Sequence, residues 1–129
     1  MTTLHAALRA CARGLYPAEA SVELLINQGV FLRRSDFRDR FVLMGTSITD
    51  GITTMAEIDW PTTITALDAG DLPCSSGEQR ILRLAASLAN GIPVDLRDAL
   101  SGLDDRNIEL TITAVLHASG KRPESPTIP

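Results

Sequence analysis

Ser75-Ser76-Gly77-Glu78-Gln79-Arg80-Ile81-Leu82-Arg83-Leu84-Ala85-Ala86-Ser87-Leu88-Ala89-Asn90-Gly91 is the stretch that decides the fold. Ser75 followed three residues later by Glu78 is a capping box, in which each residue satisfies a backbone N–H that a helix start leaves bare. Ile81, Leu84, Ala85 and Leu88 then form one apolar stripe, with Arg80, Arg83, Ser87 and Asn90 on another face, and Gly91 is a stop. The pattern restarts after Pro93 through Leu96, Ala99, Leu100 and Leu103, and halts at Gly102. It begins again at Asp104, an N-cap flanked by Leu103 and Ile108 in hydrophobic-staple positions. Ile108, Leu110, Ile112, Ala114 and Leu116 also alternate with the period of a strand. The Asp104 cap, the length of the segment and the stop at Gly120 favour helix.

Upstream the same punctuation recurs. Thr3 is placed to cap a first helix with Leu4, Ala7, Leu8 and Cys11 on one face, ending at Gly14. Pro17 fits the first turn of a second helix carrying Val22, Leu25 and Ile26, with Gly29 as its stop. Ser35 is placed to cap a third, in which Phe37, Phe41 and Met44 follow helical spacing and Asp36–Arg40 is an i,i+4 pair. Residues 45–59 break the rhythm. Their threonines and isoleucines favour extended structure around Asp50-Gly51, which predicts a long loop or a short hairpin lying on the helices. Asp59 then caps a short helix through Ile64 and Leu67 to Gly70, with Pro61 in its first turn. The expectation is a single all-α domain over 1–120, a compact bundle of about six or seven short helices. Residues 121–129, with Pro123, Pro126 and Pro129, are expected to be a disordered tail.

Composition narrows the function classes. At 129 residues and 44% apolar, the chain is one domain that needs no staples to bury a core. With only 4% aromatic residues it offers little for stacking bases. The net charge of -4 removes the simplest electrostatic argument for nucleic acid, although a local basic patch would suffice. Every basic residue but Lys121 is Arg, a mark of GC-rich coding. Cys11 and Cys74 stand far apart without a CxxC pair, and Met1-Thr2-Thr3-Leu4-His5 lacks the features of a secretory signal. Apolar runs all end well short of about 18 residues, so no membrane span is expected. These features together place the chain in a reducing cytoplasm.

Four constellations are candidates for chemistry or recognition. Cys74-Ser75-Ser76-Gly77-Glu78-Gln79-Arg80 has the CxxGxxR spacing and resembles the phosphate loop of cysteine-dependent phosphatases. That resemblance implies Cys74 as nucleophile, Arg80 as phosphate clamp and Asp68 or Asp71 as general acid. The sequence departs from the pattern: Pro73 replaces the family's His, Ile81 its Ser/Thr, and Glu78 sets a carboxylate in the cradle. The capping box explains the same residues without catalysis. Arg33, Arg34, Arg38 and Arg40, interleaved with Phe31, Phe37 and Phe41, form a cluster suited to phosphates or to an acidic protein surface. Asp36 and Asp39 sit inside it. Residues 96–118 have the rhythm of a helix-turn-helix, yet the leading residues of its second helix are mostly acidic where phosphates would lie. His5 and His117 stand alone, so neither a metal site nor a cofactor motif is legible.

The run Ser75–Ala89, then Pro93-Val94-Asp95-Leu96-Arg97-Asp98-Ala99-Leu100, resembles a group of small uncharacterised helical proteins from high-GC bacteria, as do Leu15–Ala20 and Val22–Ile26. The resemblance implies a compact cytoplasmic bacterial protein and supplies no activity, ligand or site residue. The resulting expectation is a non-enzymatic protein-interaction or adaptor module that binds another protein through Arg33, Arg34, Arg38 and Arg40. A DNA-associated regulator is the alternative, and a phosphatase-like enzyme comes third. No catalytic residue, metal or cofactor is assigned. Apolar residues on several helix faces fit a homodimer seam as well as a core.

Overall fold

The computed structural model describes residues 2–121. In chain order it comprises α1 (Thr2–Ala12), α2 (Tyr16–Gln28), a 3-10 turn (Phe31–Arg33), α3 (Ser35–Phe41), β1 (Val42–Thr46), β2 (Thr54–Ile58), α4 (Trp60–Asp68), α5 (Ser76–Asn90), α6 (Leu96–Leu100) and α7 (Asp105–Ala118). The fold is mainly helical, with one antiparallel two-stranded sheet, and so is not the purely all-α domain expected. Residues 122–129, most of the segment expected to be a disordered tail, lie outside the described residues.

Helix α2 is the hub, packing against both α5 and α7. Its contact with α5 is made through small residues: Ala20 and Ser21 on one side and Ala85 and Ala86 on the other are all essentially inaccessible. Small side chains let the two backbones approach, and the Ser21 hydroxyl uses that approach to donate to the Ala85 carbonyl at 2.8 Å. Arg106 of α7 donates to the Asn27 carbonyl at 2.6 Å, satisfying one of the acceptors that the end of α2 leaves bare.

The caps read from sequence are largely present. Ser75 and Glu78 form the reciprocal box, with Ser75 N–H donating to Glu78 Oε1 at 2.9 Å and Glu78 N–H to Ser75 Oγ at 3.2 Å. Asp59 and Asp104 cap α4 and α7. Residues 108–116 are helix. Two caps are corrections: Thr3 lies inside α1, which begins at Thr2, and Ser35 is already inside α3, whose N-cap position is Arg34 with no side-chain bond. Asp36 is therefore free to pair with Arg34 at 2.7 Å rather than with Arg40.

The interval 45–59 contains a hairpin, and that hairpin begins earlier, at Val42. Phe37 and Phe41 keep helical spacing, but Met44 belongs to β1. The helix ends because Phe41 is buried against Phe37, their ring centroids 5.2 Å apart, and Val42 turns extended to pair with Ile58. A lone hairpin is marginal in water. Here α1 covers β2, with Ala7 and Leu8 buried on the helix and Ala56 and Ile58 buried on the strand.

Candidate functional site

The four arginines expected to form one surface are divided by their partners. Arg34 binds Asp36 through two nitrogens, at 3.0 and 2.7 Å, and reaches the Pro73 carbonyl at 2.6 Å. The bond to Asp36 raises the guanidinium pKa further and holds the Asp36 carboxyl below its ordinary value. Arg40 donates to the Asp71 carbonyl at 3.0 Å and lies over the Phe41 ring at 4.7 Å. These two clasp the loop between α4 and α5 onto α3. Arg38 donates to the Leu32 carbonyl at 3.1 Å. Arg33 is exposed; its backbone N–H donates to the Val30 carbonyl at 3.3 Å, and its guanidinium makes no hydrogen bond or ion pair among the described residues.

Arg33 and Arg38 instead line a cleft of about 630 Å³ with Thr3, Leu4, Val42 and Met44. No residue of β2 contributes to its lining, so it sits on the β1 side of the hairpin, next to the start of α1. The register explains what that side offers. Asp59 N–H donates to Phe41 O at 2.8 Å, and Ser47 N–H donates to Thr53 O at 2.8 Å. Pairing alternates along an antiparallel ladder, so residues 41, 43, 45 and 47 bond inward to the other strand. The backbone groups of Val42, Met44 and Thr46 consequently point to the outer edge. Val42 N–H is engaged by Arg38 O at the end of α3. The Val42 carbonyl and both backbone groups of Met44 and Thr46 are left facing outward, among exposed Leu43 and Met44 side chains. Ile48 and Ile52, at the hairpin tip, are exposed as well.

Several of the remaining candidates are held by internal bonds. Glu78 is held in its capping box, Arg83 binds Asp68 at 2.6 Å, and the Arg80 guanidinium lies against Gly102, where an added Cβ would meet it at 3.0 Å. Burial and the Glu78 carboxylate push the Cys74 thiol pKa up, the wrong direction for a nucleophile. Arg106, a base-reading candidate in the α6–α7 hairpin, is bound to the end of α2, and Asn107 N–H is capped by Asp104 at 2.8 Å. His117 pairs with Glu19 at 2.9 Å, while His5 lies on α1. No group of His, Cys, Asp and Glu among the described residues is placed to hold a metal ion. A pocket of about 210 Å³ between α1, α2 and β2 has Cys11, Glu57 and Trp60 in its wall, and burial raises the Cys11 thiol pKa.

A second surface, which sequence reading did not place, lies over α6 and α7. Leu84 and Leu103 belong to the lining of a groove of about 460 Å³. The strand-like alternation along 108–116 was its signal. A helix with apolar residues at both periods is apolar on more than one face, and only Ala114 of α7 is fully buried. The β1 edge had no such signal, because Val42 and Met44 read as the end of a helix. No protein-family model, curated protein or solved structure matches this chain.

Proposed function

We propose that this is a cytoplasmic, non-enzymatic protein-binding module that takes an extended, acidic segment of another protein as a third strand on β1. The observation that supports it is the outward-facing backbone of Val42, Met44 and Thr46 beside Arg33 and Arg38. An extended peptide laid on that edge gains main-chain hydrogen bonds from the strand. Its carboxylates meet the two guanidiniums, while Leu43 and Met44 supply apolar contact. The alternative, a DNA-associated regulator, is less well supported, because Arg34, Arg40 and Arg106 are engaged by internal carbonyls.

Selection of binders from a displayed random-peptide library, followed by titration of the winners, tests this reading. Met44→Pro removes only an outward N–H, a position where an edge strand tolerates proline. Loss of one such bond should weaken the peptide by about tenfold. Arg33→Glu should weaken it by a similar factor and lessen the salt dependence, with the circular dichroism of both variants unchanged. Binders without acidic character, or affinities indifferent to both substitutions, would refute the proposal.

A further inference from the structure

Six large aliphatic residues of α6 and α7 (Leu96, Leu100, Ile108, Ile112, Val115 and Leu116) are each between 41% and 58% exposed and line one groove. Together they equal about three such side chains left wholly in water, or roughly 300 Å² of apolar area at the usual transfer coefficient. A patch of that size is comparable to the largest on an ordinary monomer, a patch that is often functional. We propose that a second copy of this chain covers it, pairing α7 antiparallel to α7 about a two-fold axis near Ile112.

Area and charge both select that occupant. Two copies would bury about 600 Å² of apolar surface. With the polar rim of an ordinary interface, about 60% apolar, the total is about 1,000 Å², the lower bound for a specific association. The start of α7 is net acidic, with Asp104, Asp105 and Glu109 against Arg106, whose guanidinium is bound to the end of α2, while Lys121 follows the helix end. A two-fold axis near Ile112 lays Lys121 of each copy beside the other copy's Asp104 and Asp105. It also opposes the two helix dipoles, whereas a parallel pairing would stack like ends together. An isologous pairing of this kind closes on itself and needs no other surface. It is independent of the β1 edge and of the function proposed for it.

Sedimentation equilibrium of the full-length chain, from about 1 to 300 µM, tests the pairing across the micromolar range expected for it. The wild type should fit a monomer–dimer equilibrium with a dissociation constant below about 100 µM. Ile112→Asp should be monomeric throughout with an unchanged circular dichroism spectrum, because Ile112 lies at the surface. Asp105→Lys and Lys121→Glu should each weaken the dimer by about three- to tenfold, and the double exchange should restore it to within about threefold. A monomeric wild type at the highest concentration would overturn the proposal and leave the groove to a different protein. A dimer that survives Ile112→Asp would overturn it by placing the interface elsewhere. Failure of the double exchange to restore the dimer would overturn the antiparallel arrangement.

Discussion

The contact between α2 and α5 predicts a steep dependence of stability on the size of residue 21. Ser21 is 1% exposed and its hydroxyl lies 2.8 Å from the carbonyl of Ala85, itself 0% exposed, so atoms added on that side press on the α5 backbone. Ser21→Ala deletes one buried hydrogen bond, a loss of about 1 kcal/mol. The Ala85 carbonyl keeps its partner within the helix ladder, and Ala favours helix over Ser by about 0.5 kcal/mol. The net destabilisation is therefore about 0.5–1 kcal/mol. Ser21→Val deletes the same bond, puts a methyl in place of the hydroxyl and forces one further methyl into the contact, which adds about 1–3 kcal/mol. The valine variant should lose about 2–4 kcal/mol in all. For a domain of this size each kcal/mol shifts Tm by about 3–5 °C, so the two variants should melt about 3 and 10 °C below the wild type. Urea unfolding followed by the fluorescence of Trp60, the sole tryptophan and 4% exposed, gives the free energies directly. If the valine variant unfolded with the wild-type midpoint, the reasoning would fail at its first step, the close approach of α2 and α5.

Two further outcomes are expected. Arg106→Ala leaves the end of α2 without its donor and should destabilise the protein by about 1 kcal/mol in thermal melts, discounted for the exposure of the arginine; a DNA-reading arginine would leave the melting point unmoved. Asp50 accepts from Ile52 N–H and from Thr53 N–H and Oγ, and these bonds lower its pKa from 3.8 to about 2. Because the folded value is depressed, its contribution is present above pH 3.8 and is lost as the pH falls through about 2. An NMR titration of its carboxyl carbon should show a midpoint near 2, and a midpoint near 4 would contradict the turn geometry.

Helix boundaries were legible where a side chain bonds a backbone group three residues away, as at Ser75, Asp59 and Asp104. Such caps are local, and spacing reveals them. The glycine stop after α2 was legible for the same reason: Gly29 adopts φ +73°, a conformation other residues rarely take. The start of β1 was hidden because Phe37, Phe41 and Met44 satisfy helical spacing whether or not the helix continues. What ends it is the pairing of Val42 with Ile58, a contact across sixteen positions. The arginine cluster was legible as a cluster but not as a surface. Which guanidinium bonds Asp71 or Pro73, and which stays free beside β1, depends on where the α4–α5 loop folds back.

Helix α2 also bears on how the chain comes to be folded during synthesis. Its inner face, including Leu24 and Leu25, is matched by α5 and α7, whose residues are made long afterwards. Translation at about 5–20 residues per second leaves roughly 5–20 s between the end of α2 and the end of α7. For that interval the emerging chain displays an apolar helix that only α1 and the 3-10 turn can partly cover, while α1 itself waits for β2. The N-terminal half is therefore the part a nascent-chain chaperone would meet, and a product truncated before α7 would keep that face bare.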